Sequence, residues 1–231
     1  MYKRVLLKLS GEALGGESGT GIDPETVDKV VTQLVTLAKS GMEIAIVVGG
    51  GNFWRGRQGV AMDKVTADHM GMLATIMNAL ALQDAIEKKG VDTRVQTALS
   101  IPSVAEPFIL RKALRHFENG RIVIFACGTG NPYFTTDSGA ALRAAEIKAD
   151  VLLMAKNVDG VYDCDPKTHK DAKKLEEISY MDVINKNIAV MDFTSITMCM
   201  ENKVPIIAFG LAEKDSIIRA ASGEKIGTLI R

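Results

Sequence analysis

Residues 4–14 read RVLLKLSGEAL, an apolar run that contains one lysine, Lys8, and ends at Ser10 and Gly11. A short apolar run bounded by turn residues predicts a buried β-strand. An unpaired ammonium group is costly inside such a strand. We therefore expect Lys8 near the carboxyl end of the strand, at the mouth of a crevice. The alternative is an edge strand that leaves Lys8 in solvent.

Five further apolar runs follow along the chain, at residues 43–48, 93–99, 121–126, 150–154 and 205–209, and helical patterns separate them. Strands that alternate with helices predict right-handed βαβ units. The predicted fold class is therefore α/β with three layers, a mostly parallel central sheet with helices on both faces. The length of 231 residues fits one domain over residues 1–231, and residues 225–231 are expected to add a hairpin or an edge strand.

Helix boundaries are visible between these runs. Asp23 and Pro24 form a start signal and Gly41 a stop signal, around apolar residues spaced as on one helix face. A second helical pattern ends at Gly90, and a third begins at Asp137. Each predicted helix thus connects two of the predicted strands.

Composition argues against several classes of function. Lys+Arg and Asp+Glu both number 28, so the formal net charge is zero, whereas nucleic-acid-binding domains usually carry a positive excess. Cys127, Cys164 and Cys199 form no CxxC pair, which predicts neither a zinc site nor a disulfide framework. The first apolar run is too short and too charged for a signal peptide or a membrane span, so a cytoplasmic protein is expected.

Glycine is enriched at three predicted strand ends. Gly11 follows the first run, residues 49–51 (GGG) follow the second, and residues 128–130 (GTG) follow the fourth. Because the carboxyl ends of parallel strands line one crevice, these turns are expected to meet. Glycine lets backbone N–H groups approach phosphate oxygens closely, although one or two of these glycines could serve only a tight turn. Together the three turns predict a polyanion site.

Common nucleotide-binding motifs do not fit the chain. No Gly-Lys dipeptide occurs, which excludes a P-loop, and Tyr133 stands where a dinucleotide fingerprint needs its third glycine. Residues 192–194 read DFT and not the DFG of protein kinases. A calcium loop is also excluded, because Thr168 and Lys174 occupy its glycine and glutamate positions.

Three side chains are candidates for chemistry at this crevice. Lys8 could offset phosphate charge during transfer, and Asp137 could hold Lys8 by an ion pair or cap its helix. Arg55 is a candidate second cation. Asp68 has two readings, a helix cap or a carboxylate that accepts from ribose hydroxyls.

Six motifs resemble those of the bacterial uridylate (UMP) kinases in the amino acid kinase superfamily. They are KLSGEAL (8–14), GGGNFWRG (49–56), DHMGMLAT (68–75), GTGNPYFTTD (128–137), VDGVYDCDP (158–166) and GTLI (227–230). The resemblance implies an amino acid kinase-like fold, with an acceptor-binding N-terminal part and an ATP-binding C-terminal part. It also implies the reaction ATP + UMP → ADP + UDP with Mg²⁺, in pyrimidine nucleotide biosynthesis.

The resemblance also implies roles for individual residues. The expected catalytic residues are Lys8, Arg55 and Asp137. Residues expected on the ATP side are Lys8, Leu9, Ser10, Gly11, Gly51, Arg55, Tyr162, Asp165 and Asn157, with Lys156 as the alternative to Asn157. Residues expected to hold UMP are Gly50, Asp68, Gly128, Thr129, Gly130, Asn131, Pro132, Tyr133, Phe134 and Thr135. The resemblance implies no protein metal site.

Regulation and assembly are implied in the same way. Relatives are typically homohexamers activated by GTP and inhibited by UTP. Residues that match a segment associated with GTP activation are Gly16, Glu17, Ser18, Gly19, Thr20 and Gly21; by sequence alone they predict only a flexible loop. No nucleic-acid or membrane partner is expected.

Two other functions remain open on the same scaffold. One is a kinase for a small carboxylate or carbamate, which the GTGNPYFTTD loop disfavours. The other is a non-catalytic nucleotide sensor, which the joint presence of Lys8, Arg55 and Asp137 disfavours. Trp54, the one tryptophan of the chain, is expected to report nucleotide binding by fluorescence.

Overall fold

A single large sheet organises the protein. The computed structural model describes residues 2–54, 62–164, 168–169 and 171–231. The strands in these residues are β1 (Arg4–Leu9), β2 (Glu43–Val48), β3 (Thr93–Thr97), β4 (Glu106–Pro107), β5 (Ile122–Ala126), β6 (Val151–Lys156), β7 (Val161–Tyr162), β8 (Lys174–Leu175), β9 (Glu177–Ile178), β10 (Ile206–Gly210) and β11 (Thr228–Ile230). Within the described part, nine strands form one sheet in the order β4-β3-β5-β2-β1-β6-β10-β11-β9, and β7 pairs with β8.

The helices in the described residues are α1 (Pro24–Lys39), α2 (Lys64–Lys88), α3 (Leu110–Glu118), α4 (Thr136–Glu146), α5 (Tyr180–Asn185), α6 (Phe193–Glu201) and α7 (Ser216–Ala221). Short 3₁₀ turns cover Glu12–Leu14 and Gly16–Ser18. The start signal of the first helix is confirmed, because the Asp23 carboxylate accepts from the N–H of Thr26 and Pro24 opens the helix. None of the helices in the described ranges is both long and apolar enough to cross a bilayer.

The helices cover both faces of the sheet. One apolar cluster joins residues of α1, α2 and α7 to one face, and the other joins residues of α3, α4, α5 and α6 to the opposite face. Strands β1, β2, β3, β5, β6 and β10 are mutually parallel where they pair. The predicted three-layer α/β class is therefore confirmed.

Two details of the sequence prediction need correction. The alternative of an edge position for the first strand is wrong, because β1 pairs with β2 on one side and β6 on the other. The C-terminal strand β11 does pair antiparallel with β10, but it is not an edge strand because β9 pairs along its other side. It also forms no tight hairpin with β10, since α7 lies between them in the chain.

Alternation along β1 decides where Lys8 points. Val5, Leu7 and Leu9 join the cluster on the α1 side, whereas Leu6 joins the cluster on the α4 side. Because side chains of a strand alternate between faces, Lys8 points to the same face as Leu6. The carboxyl end of β1 thus presents an ammonium group to the layer that contains α4.

Candidate active site

Lys8 and Asp137 form an ion pair at the carboxyl edge of the sheet. Asp137 lies in the first turn of α4, and its Oδ1 is 2.7 Å from Lys8 Nζ. Both side chains are largely buried, with 11% and 17% of their surface exposed. The predicted pairing is confirmed. The positive end of the α4 dipole lies at the same point and favours an anion there.

Lys156 adds a second cation to this pair. It ends β6, the strand next to β1, and it follows Leu152 and Met154 on the α4 face. Burial is the largest influence on Lys156 and lowers its pKa; the neighbouring Asp137 charge raises it, and Lys8 lowers it further. Its ammonium group donates to Val190 O at 2.6 Å. Lys156 thus feels the charges of both members of the Lys8–Asp137 pair, and two ammonium groups in one charge cluster are suited to phosphate oxygens.

The glycine turns after β1 and β2 pack directly on each other. The N–H of Gly49 donates to Leu9 O at 2.9 Å. A Cβ on Gly11 would lie 2.4 Å from Asn52 Oδ1, 2.7 Å from Gly51 N and 2.8 Å from Gly49 O. Position 11 therefore tolerates no side chain, because two of these three neighbours are backbone atoms. The predicted meeting of the first two turns is confirmed.

Replacing Gly11 by alanine is expected to destabilise the protein by about 1–3 kcal/mol, the usual cost of overpacking a tight site. Thermal unfolding measures this change. Gly51→Ala is the matched control, because a Cβ there meets only the Glu12 side chain, at 3.4 Å or more. Equal unfolding midpoints for the two variants would contradict the close approach of the two turns.

A buried amide pair, which sequence reasoning missed, orders the triple-glycine turn. Asn52 and Asn78 exchange hydrogen bonds of 2.9 and 2.7 Å, and Asn78 Nδ2 also donates to Gly49 O at 2.7 Å. Asn52 Nδ2 donates further to Gly21 O at 2.6 Å. The pair ties α2 and the loop before α1 to the turn after β2.

The acceptor cavity, as we call it, lies between the start of α2 and the turn after β5. Predicted UMP-site residues that line it are Gly50, Asp68, Gly128, Thr129, Asn131, Phe134 and Thr135. Gly51, Trp54, Thr75, Cys127 and Thr136 line it as well. Gly130, Pro132 and Tyr133 belong to the same loop but are not lining residues in the described part of the chain. Gly51, which was expected on the ATP side, also lines this cavity beside the predicted UMP residues.

The turn after β5 takes up an unusual backbone conformation. Cys127 has a φ of 67° although it carries a side chain, and its N–H donates to Thr75 Oγ1 at 2.8 Å. Burial raises the pKa of the Cys127 thiol. The thiol is therefore a packed, protonated group and not a nucleophile.

Asp68 connects α2 to the loop over the acceptor cavity. Its Oδ2 accepts from the N–H of Tyr133 at 2.7 Å and lies 3.3 Å from Lys64 Nζ. The alternative that Asp68 caps its helix is wrong, because Asp63 is the N-cap and accepts from the N–H of Thr66 at 3.0 Å. The carboxylate is thus available to the cavity.

Asp68→Asn is expected to raise the KM for UMP about tenfold or more with less effect on kcat, because charge-assisted hydrogen bonds contribute ~1.5–3 kcal/mol. Steady-state kinetics with varied UMP measure the change. Asp63→Asn is the control, since asparagine caps a helix as well as aspartate. An unchanged KM for UMP in Asp68→Asn would mean that Asp68 contacts only Tyr133 and Lys64 and does not bind UMP.

The donor cavity, as we call it, is a second cavity, bounded by the segment after β1, by α1, by the end of β6 and by the loop after β10. It has a volume of about 1090 Å³ and is lined by Glu12, Ala13, Gly16, Glu17, Ser18, Gly19, Thr26, Asp28, Lys29, Val30, Thr32, Gln33, Lys156, Asn157, Leu211, Ala212, Glu213, Lys214 and Asp215. That volume is at the upper end of the ~300–1,000 Å³ of ordinary ligand sites. The structure therefore places Lys156 and Asn157 in one cavity with four residues of the predicted effector segment.

Other predicted residues lie around these cavities. Thr20 lies in the loop before α1, and Gly21 in the same loop is tied to the triple-glycine turn by the N–H it donates to Asn52 O at 3.0 Å. Ser10 Oγ accepts from the N–H of Ala13 at 3.2 Å. Tyr162 donates to Asp159 at 2.7 Å and lines neither cavity in the ranges that the structure describes. Arg55 and Asp165 lie outside the described residues.

Asp192 is a second site residue that sequence reasoning missed. It caps α6 by accepting from the N–H of Ser195 at 2.8 Å, and it accepts hydrogen bonds from the hydroxyls of Thr135 and Ser138. Burial raises the pKa of Asp192, but these hydrogen bonds outweigh it and hold the pKa below its usual value. The signal in the sequence, an aspartate directly before the first residue of a helix, is that of an ordinary cap.

The fold and site define a class. The model of the amino acid kinase family matches residues 3–210. The chain therefore belongs to the amino acid kinase family.

Solved structures that the chain resembles include two UMP kinases and a uridylate kinase. The UMP kinase of Bacillus anthracis has a TM-score of 0.96 and 39% identity, covering 100% of this chain and 96% of that one. The UMP kinase of Ureaplasma parvum has a TM-score of 0.94 and 36% identity, covering 100% and 99%. The uridylate kinase of Archaeoglobus fulgidus has a TM-score of 0.74 and 28% identity, covering 98% and 99%.

Proposed function

We propose that the protein is a nucleoside-monophosphate kinase that transfers the γ-phosphoryl group of ATP to UMP, giving ADP and UDP. The observation that carries the proposal is the buried Lys8–Asp137 pair, which has a neighbour in the lining of each of the two cavities. Thr136, next to Asp137, lines the acceptor cavity, whereas Lys156, whose pKa responds to the Asp137 charge, lines the donor cavity. Similarity over the whole chain to UMP kinases supports the choice of acceptor.

The arrangement supports transfer by positioning and charge neutralisation. A phosphate oxygen of UMP forms a bond to the γ-phosphorus as the bond to the leaving ADP oxygen breaks. Negative charge spreads over the transferred group during this step. Lys8 and Lys156 are placed to stabilise that charge, and Asp137 holds Lys8 by the ion pair of 2.7 Å. No strong base is required, because phosphoryl transfer depends mainly on alignment and electrostatics.

The residues at the site fit a magnesium ion that arrives with ATP. Magnesium in kinase sites is held by substrate phosphates, waters and one or two carboxylates. Asp137 is the carboxylate at the phosphate side, and within the described residues no group of three His, Cys, Asp or Glu side chains is arranged to hold a metal. When bound, the ion would neutralise phosphate charge beside the two lysines.

We assign one nucleotide to each of the two cavities. UMP occupies the acceptor cavity in the N-terminal part, with Asp68 accepting from the ribose hydroxyls and the loop 128–135 over the base and phosphate. ATP occupies the donor cavity, with Asn157 and Lys156 beside it, and Tyr162, Asp165 and Arg55 are proposed as further ATP-binding residues from resemblance alone. Both parts are proposed to form one domain over residues 1–231, and the sheet that they share supports this.

The glycine-rich segment before α1 is the proposed site of the GTP response. Gly16, Glu17, Ser18 and Gly19 line the donor cavity, and Gly21 is tied to Asn52. Movement of this segment would therefore reach both the donor cavity and the triple-glycine turn. Inhibition by UTP is proposed alongside it, from resemblance alone.

A homo-oligomer, in relatives typically a hexamer, is the proposed assembly. Helix α2 is apolar on more than one face: Ala79, Leu82 and Ile86 are fully buried, whereas Leu73 and Met77 are about half exposed, at 49% and 46%. A helix that is apolar all round is normally covered on all sides. A second copy of the chain is the proposed cover.

A coupled assay of ADP release tests the function. Purified protein with ATP and Mg²⁺ is expected to turn over UMP in preference to AMP, GMP and CMP, with UDP as the product identified by chromatography. Turnover of AMP or GMP without UMP would contradict the acceptor. Turnover of a small carboxylate in place of any nucleotide would contradict the class of kinase.

Trp54 offers a separate measurement of acceptor binding. Its indole N–H donates to Ala67 O at 3.0 Å, and the residue lines the acceptor cavity beside Asp68. UMP is therefore expected to change Trp54 fluorescence in a saturable way, and the change should be lost in Asp68→Asn at the same UMP concentration. If wild-type protein and Asp68→Asn give the same fluorescence change on titration with UMP, UMP does not bind beside Asp68.

A further inference from the structure

Asp192 is bonded to two different helices. One carboxylate oxygen, Oδ1, accepts from the N–H of Ser195 at 2.8 Å and from Ser195 Oγ at 2.8 Å in its own helix α6, and only at 3.3 Å from Ser138 Oγ of α4. The other, Oδ2, faces α4 and accepts from Thr135 Oγ1 and, at 3.1 Å, from Ser138 Oγ. A helix cap needs only the first oxygen, so the second needs another explanation.

The hydroxyl of Thr135 is saturated by this arrangement. It accepts from the N–H of Asp137 at 3.0 Å and from that of Ser138 at 3.3 Å, which caps α4. A hydroxyl has two acceptor positions and one proton to donate. With both acceptor positions taken by α4, its proton goes to Asp192. The carboxylate therefore fixes the rotation of the Thr135 hydroxyl, and with it the first turn of α4.

That first turn carries the charged centre of the site. Asp137 is its second residue and pairs with Lys8. The segment that ends at Asp192 also accepts the ammonium of Lys156, through Val190 O at 2.6 Å. One short stretch before α6 thus contacts α4 and the second lysine of the site, although it lines neither cavity among the described residues.

We propose that Asp192 is a positioning residue for phosphoryl transfer: its Oδ2 holds Thr135 and Ser138, and so keeps Asp137 aligned with Lys8. The proposal rests on the proposed kinase function and adds a residue that touches neither nucleotide.

Asp192→Asn separates the two roles of the carboxylate. An asparagine that keeps its oxygen toward Ser195 still caps α6, because asparagine is as good a cap as aspartate. Its NH₂ group then faces Thr135 Oγ1 as a donor, where an acceptor is needed. Ser195→Ala is the matched control, since it removes a 2.8 Å hydrogen bond from the same carboxylate on the α6 side and, toward α4, only the long contact of 3.5 Å with Ser138 Oγ.

Two measurements are made on both variants. We expect Asp192→Asn to lower kcat about 10–100-fold, the range for small misplacements remote from the chemistry, with smaller changes in the KM for ATP and in the unfolding midpoint. We expect faster hydrogen exchange at the N–H groups of Asp137 and Ser138, which Thr135 caps. Ser195→Ala is expected to resemble the wild-type protein in kcat and in exchange at these two positions.

Several outcomes overturn the proposal. Unchanged exchange at Asp137 and Ser138 in Asp192→Asn would show that α4 is held without Asp192, and faster exchange with unchanged kcat would remove any role in transfer. If Asp192→Asn fails to fold, Ser138→Ala replaces it, with a smaller fall in kcat expected; a fall no larger than in Ser195→Ala overturns the proposal. A wild-type protein that is inactive with UMP overturns the kinase function first, before any variant is compared.

Discussion

Lys8→Ala is expected to lower kcat about 10²–10³-fold while the KM for UMP changes much less, because removal of one stabiliser of developing charge typically has that effect. The ammonium of Lys8 is held 2.7 Å from Asp137 and is only 11% exposed, so solvent screens it little. Initial rates with ATP and UMP varied separately measure both constants.

Lys3→Ala is the control for this variant. Lys3 precedes the same strand, but its side chain is 81% exposed and lies 3.9 Å from Glu43. It is expected to keep wild-type kinetics, because exposed ion pairs contribute little. Equal losses of UMP binding and turnover in Lys8→Ala would mean that Lys8 only anchors the acceptor.

Asp137→Asn is expected to lower kcat by a similar factor and, unlike Lys8→Ala, to lower the free energy of unfolding by as much as about 3 kcal/mol. The substitution leaves Lys8 and Lys156, whose charges influence each other, without the carboxylate that pairs with Lys8. Two buried ammonium groups then repel each other in a region of low polarity. Steady-state kinetics and denaturant unfolding measure the two effects.

Lys8→Ala and Asp137→Asn should shift the pKa of Lys156 in opposite directions. Asp137 raises that pKa and Lys8 lowers it, on top of the larger lowering by burial. Asp137→Asn should therefore move the Lys156 titration to lower pH, whereas Lys8→Ala should move it to higher pH. Nitrogen NMR of the lysine Nζ groups follows this titration. Shifts of the same sign in both variants would contradict a shared charge cluster.

Much of this site could be predicted because its signals are local. Lys8 is one charge in an apolar run, and its position before Ser10 and Gly11 marks a strand end. Asp137 begins a helical pattern directly after a glycine-rich turn. Since parallel strands place their carboxyl ends together, these two residues had to lie near each other, and the 2.7 Å pair confirms it.

The missed residues depend on contacts between distant segments. Asn52 and Asn78 are 26 residues apart, and each looks like an unremarkable polar residue until α2 brings them together. Asp192 is 54 residues from Ser138. In the sequence Asp192 looks like an ordinary helix cap, so nothing there indicates its second contact, with α4. No spacing rule along the chain predicts either pairing, because both depend on how two helices pack on one sheet.

Lys156 is an intermediate case. It follows Leu152 and Met154 at alternate positions, so strand periodicity alone places it on the α4 face at a strand end, as it does Lys8. Sequence reasoning named it only as an alternative to Asn157, and the structure brings both into the donor cavity. Applying strand alternation to each charged residue at a predicted strand end would have identified Lys156 as a site residue.

The alternation that aims Lys8 at α4 also restricts how β1 can vary. Inserting or deleting one residue between Leu6 and Lys8 would turn the lysine toward α1 and leave Asp137 facing an apolar side chain. Both neighbours of β1 are parallel strands with matched register, so the strand has no free edge along which to slide. Length changes in this segment are therefore tolerable only in pairs of residues, and substitution is the principal route by which it can diverge.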